Sequence, residues 1–230
     1  MNKKYGKIIV IALGGSILYP ENIDTKYIRQ FASYIKKYIK KGRKFVIVVG
    51  GGRTSRIYQG AASQIAKVDD EDKDWIGIHA TRLNAHLLRT IFKDLADPVV
   101  FDTRYKRKKL SYPITIASGW RPGWSTDFVA VALAKDYGAK QVIIAGKPSH
   151  VYDKDFVKYK DAKPFEKLSW QEYRTLIPEK WTPGFHSPVD PVAARLAQKE
   201  KIEAIVTDGR DLKNLTKIIE GKRFQGTIIN

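Results

Sequence analysis

The stretch Phe45-Val46-Ile47-Val48-Val49-Gly50-Gly51-Gly52-Arg53-Thr54-Ser55-Arg56 decides the fold. Its apolar half, β-branched apart from Phe45, reads as a strand buried on both faces, as strands of a parallel sheet are. The three glycines let the backbone turn sharply and approach a bound group with no Cβ in the way. The polar residues beyond them can open a helix, whose unpaired N–H groups and dipole favour an anion. The chain does the same at its start, where Lys7-Ile8-Ile9-Val10-Ile11-Ala12-Leu13 runs into Gly14-Gly15-Ser16. Two strand-to-glycine turns so close together suggest two phosphate cradles in one site, as phosphoryl transfer requires.

Working outward, residues 23–41 carry Ile28, Phe31, Ala32, Ile35 and Ile39 near helical spacing and stop at Gly42. Strand, turn, helix, strand and turn make a βαβ unit, which predicts parallel pairing through right-handed crossovers. Residues 74–95 form the longest helical pattern, residues 98–101 a short strand and residues 113–117 another. That last strand runs into Ser118-Gly119-Trp120-Arg121-Pro122-Gly123-Trp124-Ser125-Thr126-Asp127, with Asp127 as the expected cap of a helix over 128–137. Residues 141–146 repeat the strand-to-glycine step, and 151–164 read as a loop or small excursion. Ser169 and Glu172 have capping-box spacing, and Asp190-Pro191 opens a helix over 192–201. A strand and turn over 204–209, a helix over 212–220 and a strand over 226–229 close the chain. The alternation predicts an α/β fold in one domain spanning residues 1–230.

Composition narrows the partners. Apolar residues at 43% are enough for a real core, and no apolar run approaches the ~18 residues that cross a membrane. The basic start leads into an apolar run that ends in Gly-Gly-Ser, which reads as a first strand rather than a leader. With no cysteine, disulfides and thiolate metal sites are excluded and the cytoplasm is expected. His79, His86, His150 and His186 show no zinc-ligand spacing, so no protein metal site is expected. The net charge of +18 admits a polyanion partner or a lysine-rich solvated surface. Only residues 104–109 form a dense basic patch and no nucleic-acid motif accompanies it, so the reading is a solvated surface without a nucleic-acid partner.

Neither a Walker A pattern nor a G-x-G-x-x-G fingerprint occurs. In order, however, stand Gly14-Gly15-Ser16, Gly50-Gly51-Gly52 with Arg56, and Gly77-Ile78-His79-Ala80-Thr81-Arg82-Leu83-Asn84-Ala85. Pro122-Gly123-Trp124-Ser125-Thr126-Asp127, Val151-Tyr152-Asp153-Lys154-Asp155 and Asp190-Pro191-Val192-Ala193-Ala194 follow. The set resembles the amino acid kinase superfamily, and within it the archaeal-type uridylate kinases, over nearly the whole chain. The resemblance implies a three-layer α/β/α sandwich around a mainly parallel sheet and transfer of phosphate from Mg²⁺-ATP to UMP. It also implies a homo-oligomer, hexamer or dimer, with residues 1–115 on the acceptor side and 116–230 on the ATP side.

By position, the resemblance puts Gly14, Gly15, Ser16, Gly52, Arg56, Gly146, Tyr152 and Asp155 on ATP. It puts Gly51, Asp74, Trp120, Arg121, Pro122, Gly123, Trp124, Ser125 and Thr126 on UMP. Such a reaction needs no strong base, because a phosphate is already nucleophilic; it needs alignment and charge neutralisation. Arg56, whose fork can bind bidentately, and Lys147 are the candidate catalytic cations. Asp74 reads either as a ribose contact or as a helix-start residue, and Trp120 and Trp124 either as packing or as a lid on a base. Arg82 and Asn84 read as structural or interfacial.

Three positions depart from the family pattern. Ala12 stands where many members have lysine, and Ser149-His150 stand where relatives have Asp-Gly. Residues 183–188 are bulkier than usual. These departures leave open a nucleotide-binding protein with little turnover, or a kinase of another small phosphate or carboxylate.

Overall fold

The computed structural model describes residues 5–104, 109–180 and 187–230. Most of the basic patch at 104–109 and most of the loop at 183–188 therefore lie outside the described residues. In chain order the first elements are β1 (Ile8–Leu13), α1 (Gly15–Leu18), α2 (Thr25–Ile39), β2 (Lys44–Val49), α3 (Gly52–Ile65) and α4 (Asp70–Ile91). Next come β3 (Ile114–Ala117), α5 (Thr126–Asp136), β4 (Gln141–Gly146), β5 (Val151–Tyr152), β6 (Pro164–Phe165) and β7 (Lys167–Leu168). The last are α6 (Trp170–Thr175), α7 (Pro191–Glu200), β8 (Glu203–Asp208), α8 (Leu212–Ile219) and β9 (Thr227–Ile229).

Period-2 alternation along the apolar strands builds the layers. Ile9, Ile11 and Leu13 of β1 join Phe45, Ile47 and Val49 of β2 in a core under α2, α4 and α8. Val10, Ala12, Val46 and Val48 point the other way, into a core with α5, α6 and α7. The seven-stranded sheet runs β3-β2-β1-β4-β8-β9-β7. Its first five strands are parallel, whereas β9 is antiparallel to β8 and β7 follows β9. This is the expected three-layer arrangement. The carboxyl ends of β1, β2, β3, β4 and β8 thereby open onto one edge, where ligands bind in α/β sheets.

Several elements differ from expectation for local reasons. Residues 98–101 are no strand: Pro98 lacks a donor, and the Asp97 carboxylate accepts the Val99 N–H at 2.9 Å, bending the chain. Only single bridges, from Ala96 to Ile114 and from Phe101 to Ala117, remain. Helix α4 starts four residues before Asp74, because Asp69 caps it by accepting the Asp72 N–H at 2.8 Å. Asp127 is not the cap of α5; Ser125 is, accepting the N–H groups of Asp127 and Phe128, both at 3.1 Å. The excursion at 151–164 is closed at its base by the β5–β6 hairpin. The capping box at Ser169 and the Asp190 cap with Pro191 behind it form as expected.

The two glycine turns meet backbone to backbone. A methyl group on Gly15 would lie 2.3 Å from Gly52 N and 2.4 Å from Gly50 O. Gly52 is left-handed (φ +63°), and a methyl there would lie 2.4 Å from the Gly15 carbonyl. The missing side chains thus serve the contact between the turns as well as any ligand. Replacing Gly15 by Ala should cost at least about 2 kcal/mol, in the upper part of the single-substitution range. Gly146→Ala, whose methyl would meet only Pro148 Cδ at 3.6 Å, should cost under about 1 kcal/mol. Urea denaturation of both variants measures this, and equal losses at the two positions would refute the packing account.

Candidate active site

The site begins with what clamps the turns. Asn84 is buried on α4 and donates from Nδ2 to the carbonyls of Gly50 at 2.9 Å and Gly51 at 3.1 Å. It stands in a buried stripe with Ala80, Thr81, Ala85 and Leu88. A buried amide in such a stripe must find partners, a signal in the sequence for a positioning role that the structural-or-interfacial reading left unspecified. Thr81, one turn earlier, accepts the Gly119 N–H at 2.8 Å and donates to Ile78 O at 2.6 Å. The same helix therefore sets both the second glycine turn and the start of the loop at 118–126.

Around this clamp the other strand ends close in. The Gly14 N–H donates to Ala145 O at 2.9 Å, and the Gly209 N–H donates to Gly146 O at 2.9 Å. Gly14, Gly15, Ser16, Gly51, Gly52 and Gly146 are thus gathered at one edge. Helices α1 and α3 start there, and the first amides of a helix have no acceptor within it. Those amides, with the dipole of α3 behind them, make a surface that attracts anions.

The loop at 118–126 is held at three points besides Thr81. The Asp74 carboxylate accepts the Gly123 N–H at 2.7 Å. Ser125 donates a short hydrogen bond to Asp190, which also caps α7 by accepting the Val192 N–H at 2.8 Å and the Ala193 N–H at 3.0 Å. Trp120 is buried and its indole N–H donates to Phe101 O at 3.2 Å, so its side chain belongs to the core. Trp124 is half-buried, packs on Phe128 with ring centroids 4.6 Å apart and carries the Arg121 guanidinium 4.0 Å above its ring. Pro122 and Thr126 are half-buried, and Thr126 is the first residue of α5.

Three carboxyls here are displaced from their ordinary range. Burial lifts Asp74 to about 6 against the opposing bond from Gly123. Burial, and then the neighbouring Asp190, push Asp127 well up; burial raises Asp190 too, against the hydrogen bond from Ser125.

At the other side of the edge, Ser149 Oγ lies 3.0 Å from His150 Nδ1 and 3.1 Å from the Tyr152 hydroxyl. Tyr152 stacks on Phe156 with centroids 4.9 Å apart. Burial lowers the His150 pKa, with Glu166 opposing. Asp155 is exposed, and its Oδ1 accepts the amide of Val157 at 2.9 Å and that of Lys158 at 3.3 Å. Ser149, His150 and Tyr152 thus form a network with no carboxylate in it.

The two expected cations are less engaged. Arg56 on α3 and Lys147 after β4 are both exposed, and neither has a polar partner among the described residues. Arg53, which the sequence reading did not single out, pairs with Glu21.

An α/β sheet with paired glycine turns and an anion-attracting strand edge defines a phosphate-handling protein. Residues 7–208 match the model of the amino acid kinase family, and the chain belongs to that family. Among its relatives are the uridylate kinase of Methanocorpusculum labreanum, 35% identical over 96% of this chain and 94% of its own length, and that of Thermoplasma volcanium, 36% identical over 93% of each. The crystal structure of the uridylate kinase from Archaeoglobus fulgidus superposes with a TM-score of 0.82 at 30% identity, covering 98% of this chain and all of that one. The UMP kinase structure from Bacillus anthracis, at 21% identity and a TM-score of 0.79, shares the fold.

The raised Asp74 pKa has a readable consequence. Because its folded-state value lies above the ordinary one, the contribution of this group to stability is fully present below about pH 4 and is lost as pH rises through about 6. The bond to Gly123 follows the opposite course, strengthening as the carboxylate forms. Tryptophan fluorescence of the unliganded protein should titrate near pH 6 as Trp124 responds, and Asp74→Asn should abolish that transition. A transition retained in Asp74→Asn would assign it to another group.

Proposed function

We propose that this protein is a UMP kinase, transferring the γ-phosphate of ATP to UMP to give ADP and UDP for pyrimidine nucleotide synthesis. The observation that carries the reading is the direct contact between the Gly14–Ser16 and Gly50–Gly52 turns, which brings two anion-attracting helix starts to one place. Two phosphates set side by side are what in-line transfer requires. Family membership and the uridylate kinase relatives support the choice of acceptor.

In this reading the first amides of α1 and α3, from Gly15, Ser16 and Gly52, hold the ATP phosphates, and Gly14, whose own amide is spent on Ala145 O, lies beside them with Gly146. The Tyr152–Phe156 stack and Asp155 lie toward the nucleoside. Gly51 turns to the UMP phosphate, and Asp74 with residues 120–126 encloses the nucleoside of UMP, Trp120 acting through its backbone. Arg56 swings onto the transferring group, and Lys147 supplies the second cation in the absence of lysine at Ala12. Residues 1–115 and 116–230 form the acceptor and ATP sides of one unit.

Mg²⁺ enters with ATP. In this reading the ion is held by phosphate oxygens and water. When bound it neutralises charge between the β- and γ-phosphates, while the glycine-turn amides hold those phosphates in line.

ADP release should be rapid with UMP and slow with CMP, dUMP or small carboxylates. Arg56→Ala should lower kcat by about 100-fold, as for loss of one stabilising donor to the transition state. Turnover of another acceptor with UMP inert would overturn the reading. A second reading, nucleotide binding with slow transfer, is favoured by the neutral Ser149 network, and tight calorimetric binding of both nucleotides without turnover would establish it.

We further propose a homo-oligomer, dimer or hexamer, in the cytoplasm. No described helix is long and apolar enough to cross a membrane. Helix α3 has no buried residue, and with α4 it leaves Ile57, Tyr58, Ile65 and Leu83 exposed, a patch of the kind that marks an interface. The Ile57→Glu/Leu83→Glu double variant should run as a monomer in light scattering, and an unchanged mass would place the interface elsewhere.

A further inference from the structure

The fold collects, at the end of the sheet opposite the glycine turns, lysines that are scattered through the sequence. Strand starts and helix ends meet there. Lys7 precedes β1, Lys41 and Arg43 stand around the entry to β2, and Lys140 precedes β4. Lys201 joins α7 to β8, and Lys222 follows α8. Two hollows of about 880 and 490 Å³ adjoin at this end and share Lys7. All six cations line one or both of them.

Among the described residues only two acidic side chains line the same hollows. Glu203 accepts from Gln141 Nε2 at 2.6 Å, and Glu220 is paired with Lys222 at 2.8 Å. The ammonium groups of Lys7, Lys140 and Lys201 are exposed and have no carboxylate partner among the described residues. Arg43 spends its fork on the carbonyls of Tyr5 at 2.8 Å and Gly6 at 2.6 Å, which leaves its charge uncompensated.

Helix dipoles account for lysines in last helical turns, such as Lys36, Lys135 and Lys217. They do not account for Lys7 and Lys140, which precede strands. Lys201 is stranger still. It is left-handed (φ 53°), the one such non-glycine among the described residues, at a helix stop where glycine is the ordinary choice. A lysine at a strained position on the lining of a basic hollow points to a use for its charge.

We infer that this lower groove binds single-stranded nucleic acid through its phosphates. Lysine point charges around two adjoining hollows suit a sequence-independent hold on a phosphate backbone, and a concave surface suits a strand better than a flat bilayer. Along the chain these lysines are spaced as on a solvated surface. In the fold they gather around the two hollows.

The test is fluorescence anisotropy of a labelled 20-nucleotide oligoadenylate with the full chain, under saturating ATP and UMP. Binding should weaken about 50-fold between 50 and 200 mM KCl, as expected for some four phosphate contacts on a single strand. K7E/K140E/K201E should weaken binding at least about tenfold, whereas K26E/K67E/K213E, with the same net charge, should change it less than about threefold. The milder K7Q/K140Q/K201Q, with an unchanged melting curve, should weaken it about fivefold and guards against misfolding. Equal losses in both reversal variants would overturn the proposal in favour of diffuse charge. Displacement of the strand by ATP or UMP would place it in the kinase site and also overturn the proposal. Tighter, K7E/K140E/K201E-sensitive binding to phosphatidylglycerol vesicles would overturn it in favour of a membrane.

Discussion

The approach of Gly15 to Gly50 and Gly52, closer than any Cβ would permit, is the constraint on which the rest of the structure depends. It brings the ends of β1 and β2 together so tightly that the two helices following them start at one point. That coincidence gives the edge an anion-attracting character that backbone amides supply. Asn84 holds the second turn by its carbonyls, so one buried amide fixes the position of the turn from beneath.

Helix α4 ties this cradle to the neighbouring loop. Thr81 holds Gly119 and Asp74 holds Gly123, so one helix touches the loop at both ends of its first half while Asn84 touches the glycine turn. Ser125 and Asp190 then link the loop to α7 on the opposite layer. The loop is thus joined to both layers by polar contacts, in addition to the apolar packing of Trp120 and Trp124. Hydrogen bonds of this kind stabilise modestly and can exchange for ligand contacts.

Much of the fold was legible in the sequence because apolar alternation and glycine stops are local signals. The strands at 45–49, 113–117, 141–146 and 204–209, and the caps at Ser169 and Asp190, follow from residues within a few positions of each other. Where the structure departs from the local pattern, a nearby polar group competes with it: the Asp97 carboxylate turns residues 97–99, and Ser125 caps α5 two residues before Asp127. The site was legible as a set of motifs but not as contacts. That Gly15 and Gly52 exclude each other's side chains, or that Trp120 spends its indole on Phe101 O, depends on residues far apart in the chain. The lower basic face was illegible for the same reason, since its lysines come together only when the strands align.

The central claim is that the paired glycine turns hold two phosphates side by side. A crystal structure with a non-hydrolysable ATP analogue and UMP tests it most directly. The account predicts the γ-phosphate within hydrogen-bonding reach of the Gly15 and Gly52 amides and the UMP phosphate against Gly51, with the Gly15–Gly52 contact unchanged. Phosphates bound away from these amides, or turns that separate when both nucleotides bind, would contradict it.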